Sequence, residues 1–327
     1  MTDERNDQNL DAIVIGGGAA GLNGALMLAR SRRSVVVVDA GEPRNAPAEA
    51  VHGLLARDGT PPAELLNAGR EEVQRYGGRI LNGTVAEAAR EPGGFAVSLS
   101  DGRTLHARRL LVATGVVDVL PDIPGLAAHW GHDVVHCPYC HGWEVRDRAI
   151  GILAVGENSM HQALLFRQLS DDVVYFENGN PLADESRERL AALDVPVVAG
   201  RVVGVESADG QIAGVRLDDG RMLPREVLAV ATRMEARVGG LASLGLPLEE
   251  LPAGMGTTIR ADAFGRTEVP GVWVAGNASN ATAQVGAAAA AGALAGAQVN
   301  ADLATEDADR AVERRRRAGA PATAPVA

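Results

Sequence analysis

The order strand, glycine turn, helix, strand, acid at the start of the chain leaves little choice of fold. Residues 10–16 read Leu-Asp-Ala-Ile-Val-Ile-Gly, an apolar strand pattern that runs directly into Gly16-Gly17-Gly18-Ala19-Ala20-Gly21. A helical pattern follows through Arg30, then a second strand over 34–38 that ends in Asp39. In such a unit Gly16 permits the tight turn, Gly18 lets a pyrophosphate approach the backbone, and Gly21 lets helix and strand pack closely. The helix N-terminus, at Ala19 and Ala20, then faces the phosphates. Asp39 lies 23 residues beyond Gly16, placed to accept from a ribose hydroxyl. The pattern predicts a dinucleotide-binding α/β unit.

The same order recurs later. A strand pattern over 149–155 meets Gly156-Glu157-Asn158-Ser159, a helix over 161–169 and a strand over 173–176. Each half also carries a hairpin with an Asp-Gly turn: 95–99 and 104–114 flank Asp101-Gly102, while 215–217 and 222–232 flank Asp219-Gly220. The hairpins end alike, in Leu-Leu-Val-Ala-Thr-Gly at 110–115 and Leu-Ala-Val-Ala-Thr-Arg at 228–233. The expected fold is α/β, with two Rossmann-like three-layer nucleotide-binding domains, the second inserted into the first. The expected division is 1–117 and 246–312 for the first domain, 118–245 for the insert and 313–327 for a flexible tail. Connectors are expected over 117–124 and 241–252. A strand over 271–276, a polar loop over 277–280 and a small-residue helix over 281–299 should return to the first domain and complete its pocket. Arg314 to Arg317 read as a solvated helix end.

The chain has only two cysteines, in Cys137-Pro138-Tyr139-Cys140, and His141 follows at once. One such pair is a poor closed zinc site, which needs four ligands. It suits a reversible dithiol, because this spacing can lower a thiol's pKa. His129, His132 and His161 have no partner pattern that would license a metal. A neutral imidazole at 141 can accept a thiol proton near pH 7 better than an unperturbed carboxylate can. His136 and Trp143 flank the pair, Tyr139 shapes access, and His52 sits before the helix that Pro61-Pro62 should start. The net charge of −11 argues against a nucleic-acid partner. The polar, acidic start over 1–9 is unlike a signal peptide, and 285–299 is too short and small-sided for a membrane span. The sparing use of cysteine suits a reducing cytoplasm.

Taken in order and spacing, Gly16 to Gly21, Ala113-Thr114-Gly115, the Cys137–Cys140 motif and Gly271-Val272-Trp273-Val274-Ala275-Gly276-Asn277 make the chain resemble the low-molecular-weight thioredoxin reductase family of flavoproteins. The likeness runs from about residue 10 to 300. It implies FAD in the first domain, a redox disulfide in the insert and a homodimer with the dithiol able to reach the flavin. Within that family, Cys137 to Glu144 looks most like the FAD-dependent dithiol oxidases, which close disulfides in small sulfur-containing natural products. Ordinary thioredoxin reductases usually carry Asp where this chain has His141. The resemblance further implies Cys140 as the flavin-proximal thiol and Cys137 as the exchanging one. Gln284 and Val285 would lie near the flavin's pyrimidine edge, and Gly276 and Asn277 near its ribityl chain. Asn277 replaces the family's usual Asp.

The second glycine turn departs further. Counted from Gly156, its next two motif positions hold Asn158 and His161, whose side chains crowd a pyrophosphate. Where the family carries a basic run for the 2′-phosphate of NADPH, this chain has Phe176-Glu177-Asn178. NAD(P)H binding is therefore doubtful. The expected activity is oxidation of a small-molecule dithiol, with electrons passing through Cys137 and Cys140 to FAD and then to O2, giving H2O2. The alternative is an NAD(P)H-dependent reductase of thioredoxin or a similar small redox protein.

Overall fold

The computed structural model describes residues 10–318; the polar start and the last nine residues of the expected tail lie outside them. The chain opens with β1 (Leu10–Ile15), α1 (Ala19–Arg30) and β2 (Val35–Asp39). Pro62 then starts α2 (Pro62–Arg75), where its missing N–H would be unpaired in any case. β3 (Arg79–Asn82), β4 (Val85–Glu91), β5 (Gly94–Leu99) and β6 (Thr104–Val112) follow. The strands order as β3-β2-β1-β6-β5-β4, parallel through β6 and antiparallel beyond it.

β7 (Val116–Val119) leads out of this unit. The insert carries β8 (Val134–Val135), a single turn α3 (Pro138–His141), β9 (Ile150–Leu153), α4 (Asn158–Phe166), β10 (Val173–Phe176), α5 (Asp184–Ala192) and β11 (Val197–Val198). β12 (Val202–Ala208), β13 (Gln211–Leu217) and β14 (Met222–Leu223) form an antiparallel sheet, and β15 (Val227–Val230) completes a parallel sheet ordered β11-β10-β9-β15-β8. Here the repeat is imperfect. Residues 222–232, expected as one strand, are broken after Leu223 by Pro224, which has no N–H for a ladder. β14 stays with the hairpin and β15 joins the other sheet.

β16 (Arg233–Ala236) returns antiparallel to β7, with Arg233 opposite Val119 and Ala236 opposite Val116. Both crossings thus lie in one two-stranded ribbon, and the residues between its strands form the insert. The return expected over 241–252 is displaced. Leu241 and Leu244 are buried in the first unit's core with Phe95, Val97 and Leu105, and the Ala88 N–H donates to the Gly240 carbonyl. Those short apolar residues resemble a linker in sequence because the face they cover belongs to distant strands. β17 (Leu248–Glu250) and β18 (Gly256–Ile259) widen the ribbon to the order β17-β18-β16-β7, and β19 (Val272–Val274) lies parallel to β6.

α6 (Val285–Arg317) closes the first unit and runs past the expected tail boundary, so residues 313–317 are helical. Its first half buries Ala288, Gly292, Ala295, Gly296 and Val299. Further along, Asp302 pairs with Arg109 at 2.6 Å, Glu306 with Arg108 at 2.8 Å and Asp307 with Arg33 at 2.6 Å. The arginines of the last turn face the negative helix end, which favours them. α6 meets α1 almost backbone to backbone: a Cβ on Gly292 would stand 1.9 Å from the Ala20 carbonyl oxygen, and one on Gly296 2.5 Å from that of Gly24. Asn23 Nδ2 donates across this contact to the Ala289 carbonyl at 2.8 Å. Among the described residues no helix is long and apolar enough to cross a membrane.

The α1–α6 contact tolerates no added carbon. Gly292→Ala should cost about 1–3 kcal/mol, read as a lower urea or thermal unfolding midpoint; an unchanged midpoint would contradict so close an approach.

Candidate active site

One cavity of about 1330 Å³ brings the two units together. Its first wall includes Gly16, Gly18, Ala19, Ala20 and Asp39, with Ala113, Thr114 and Gly115 beside them. Asn277, Gln284 and Val285 line it from the end of the chain. Cys137, Cys140 and His141 line it from the insert. Gly21 and Gly276 do not line it; they make the wall possible. A Cβ on Gly21 would lie 1.9 Å from the Gly16 carbonyl oxygen, and Gly276, at φ 71°, would bring a Cβ within 2.7 Å of the Ala20 Cβ.

The first wall fits FAD. α1 starts at Gly18 with no side-chain cap, which leaves first-turn amides for an anion. A Cβ on Gly18 would meet nothing within 4 Å, so the open side of that residue is the ligand side. Thr114 Oγ1 and Arg237 Nε are buried without partners, and both residues line the cavity. Asp39 Oδ2 accepts from Arg70 Nη2 at 2.8 Å and Oδ1 from the Gly41 N–H at 3.0 Å. Each oxygen keeps a second acceptor position for a ribose hydroxyl. Gly17 admits this carboxylate, since a Cβ there would lie 2.3 Å from its carbon.

Asn277 does something the sequence did not suggest. Its Nδ2 lies 3.1, 3.0 and 2.9 Å from the carbonyl oxygens of Asn280, Ala281 and Ala283, organising the loop into α6. An ionised aspartate is acceptor-only and would repel all three. Its Oδ1 remains for a ligand. α6 likewise starts without a side-chain cap at Gln284, so a second helix N-terminus points at the cavity.

Cys137 and Cys140 are joined as a disulfide. The amides of Cys140 and His141 reach back to the Cys137 carbonyl at 3.2 and 3.1 Å, forming the single turn α3. Gly142 closes it, because a Cβ there would strike the Pro138 carbonyl oxygen at 2.2 Å. Burial pushes the His141 pKa below 6.5; His52 and His132 push the same way, against Glu144 and Glu49. His141 is therefore neutral at pH 7, as a base requires. His136 Nδ1 lies 3.0 Å from the Val230 carbonyl, and burial lowers its pKa too.

Four residues here were not legible from sequence. Arg44 grips Asp118 with Nε and Nη2 at 2.5 and 2.6 Å. Thr232 donates to the same carboxylate at 2.6 Å, and Gln162 Nε2 donates to the His136 carbonyl at 2.7 Å. Burial pushes the Asp118 pKa up, but the Arg44 hydrogen bonds and charge hold it below the usual carboxylate range. These residues come from the β2–α2 segment, the two ribbon strands' ends and α4, and no local pattern links them. Trp143 neither packs nor lines the cavity; it is exposed, with Arg146 stacked on it at 4.1 Å. His129 is buried against Ser207 Oγ at 2.6 Å, and no metal-binding cluster occurs among the described residues.

The second glycine turn differs physically from the first. The Ser159 and Met160 amides bond back to the Gly156 and Glu157 carbonyls at 3.1 and 3.3 Å, and Ser159 Oγ accepts from the Val155 N–H at 3.0 Å. Asn158 and His161 face the dithiol cavity. Beyond β10, Glu177 pairs with Arg187, and Asn178 and Asn180 donate to the Ala154 carbonyl at 3.2 and 3.1 Å.

Fold, cavity and disulfide together define an FAD-binding thiol-disulfide oxidoreductase. The pyridine nucleotide-disulphide oxidoreductase family model matches residues 10–292, and the chain belongs to that family, in its low-molecular-weight thioredoxin reductase-like branch. The chain is 37% identical over 310 residues to the thioredoxin reductase tcpT of Claviceps purpurea, covering 90% of this chain and 95% of that one. The crystal structure of HlmI superposes with a TM-score of 0.89 at 43% identity, over 98% of this chain and 99% of that one. An oxidoreductase from Agrobacterium tumefaciens gives 0.85 at 35% identity, over 91% and 99%.

Because Gly18 has open space on its ligand side, Gly18→Ala should leave the unfolding midpoint of the FAD-free protein unchanged while lowering FAD retention after purification. Full flavin content in that variant would show that the pyrophosphate does not pass there.

Proposed function

We propose that this protein is an FAD-dependent dithiol oxidase that closes an intramolecular disulfide in a small dithiol. The observation that carries this reading is the second glycine turn. Its Ser159 and Met160 amides bond back to the Gly156 and Glu157 carbonyls, and Asn158 and His161 line the dithiol cavity. The acid at the end of β10 is committed to Arg187, where a 2′-phosphate would need a cation. Such a unit keeps the shape of a nicotinamide domain while offering little to NADPH. A second reading, reduction of a thioredoxin-like protein by NAD(P)H, is favoured by the names of relatives, tcpT among them, and uses the same disulfide in the opposite direction.

In the oxidase direction a substrate thiol loses its proton to the neutral His141 imidazole. The thiolate attacks Cys137 Sγ, the Cys137–Cys140 bond breaks, and Cys140 leaves as a thiolate. The substrate's second thiol loses its proton to solvent and, as a thiolate, attacks the substrate sulfur of the mixed disulfide, releasing Cys137 as a thiolate. Two substrate thiols have become one disulfide, and the enzyme disulfide has taken the two electrons. Bound FAD would supply the two-electron acceptor that lets Cys137 and Cys140 close again, with O2 as the terminal oxidant. Gly16 to Gly21, Asp39 and the start of α6 would hold and orient FAD. A homodimer is part of this reading, and the mass in solution tests it.

Anaerobic mixing with a small dithiol should bleach the flavin rapidly, with NADPH and NADH much slower. Bleaching by NADPH at catalytic speed would favour the reductase. His141→Ala should lower dithiol oxidation by about 10²-fold near pH 7. The ratio of wild-type to variant rate should fall below pH 6.5, as His141 takes up a proton at its lowered pKa. It should also shrink above about pH 8.5, where thiols ionise unaided. A ratio near one across this range would remove His141 as the base.

A further inference from the structure

The segment between β2 and α2 belongs to the FAD-side unit, yet it touches the insert or its ribbon at three places. Arg44 holds Asp118 on the outgoing ribbon strand. Pro47 packs on Gly131, where a Cβ would come within 2.5 Å of the Pro47 Cβ. His52 sets Nε2 3.3 Å from Glu144 Oε1, and its Nδ1 lies 3.5 Å from Asp58 Oδ1 in its own segment. The first two contacts fix the base of the insert. The third lies at its reactive edge, three residues beyond His141. His52 lines the cavity that the two cysteines and His141 also line, whereas Glu144 does not.

We propose that His52 and Glu144 form a positioning pair that holds the Cys137–Cys140 turn against the FAD cavity. α3 is one turn long and makes few anchoring bonds of its own, so its placement depends on what grips its flanks. Glu144 follows the turn directly after Gly142 and Trp143, and His52 reaches it from the opposite unit. The side chains are 22% and 36% exposed, so the pair contributes little to stability as a salt bridge; its effect is geometric. The titratable groups bearing on His141 are Glu144 from its own segment, His52 and Glu49 from the FAD-side segment, and His132 from the residues before β8. The same pair therefore bears on His141 with opposite signs. It serves electron transfer in either direction and does not depend on the choice between oxidase and reductase.

The test uses holoenzyme with Glu144→Gln, His52→Asn and the double variant, mixed anaerobically with dithiothreitol. Two rates are read at pH 8, where His141 is neutral: opening of the Cys137–Cys140 disulfide, by quenching with iodoacetamide and mass measurement, and loss of oxidised flavin absorbance. Each single variant should slow electron arrival at FAD by about 10-fold while disulfide opening changes by less than about 2-fold, and the double variant should be no slower than the slower single one. Multiplied effects in the double variant, or equal slowing of both rates, overturn the proposal. The acid limb of disulfide opening adds a readout that mere scaffolding would not move. It should shift to lower pH in Glu144→Gln, because that carboxylate favours the proton on His141. It should shift to higher pH in His52→Asn, because that imidazole disfavours it. Shifts in a common direction, or none, likewise overturn the pair. Glu144→Gln lies off the cavity and keeps the test intact if His52→Asn binds FAD poorly.

Discussion

The close approach of α1 to β1, β6 and α6 is the constraint on which the rest of the structure depends. It requires glycine at 21, 24, 292 and 296, because a Cβ at any of them would run into backbone or a core side chain. With those positions bare, two helices start at the same cavity, each without a side-chain cap. The unpaired amides and positive helix ends form an environment that suits a pyrophosphate and a flavin's polar edge. Thr114 and Arg237, each with an orphaned buried polar atom, mark where the ligand's own polar groups belong.

The insert depends on a smaller element, the β7–β16 ribbon. Both crossings pass through it, so the orientation of the dithiol relative to the cavity is set by two short strands and what grips them. Arg44, Asp118 and Thr232 lock the ribbon's base with short, charge-assisted bonds in a largely buried place, where such bonds are strongest. His141 is half-buried in its own surroundings, and that burial is the main cause of its lowered pKa.

The two glycine turns share strand, turn and helix and differ in the groups they present. In the first, bare positions leave amides free; in the second, the Ser159 and Met160 amides bond to backbone carbonyls and Ser159 Oγ takes the Val155 N–H. The parallel sheet beneath needs only the turn, so packing accommodates both arrangements.

Most of the secondary structure and the candidate reactive groups were legible in the chain, because both are local. Strand, turn, helix and acid lie within thirty residues of one another, and Cys137, Cys140 and His141 within five. The break at Pro224 is also a local signal, masked by a repeat that suggests a continuous strand. What tertiary structure alone decided are the long-range matters. Leu241 and Leu244 read as linker residues because the face they bury against is supplied by strands more than a hundred residues earlier. Asn277 read as a residue near the ribityl chain standing where the family has Asp; its amide also serves three carbonyls of a loop whose path sequence does not reveal. Arg44, Asp118, His52 and Glu144 meet only after folding, since charge pairing acts through space and leaves no periodic mark on the chain. The sequence by itself determined a dinucleotide fold carrying one dithiol. The folded chain decided that this dithiol and His141 line the same cavity as the dinucleotide wall.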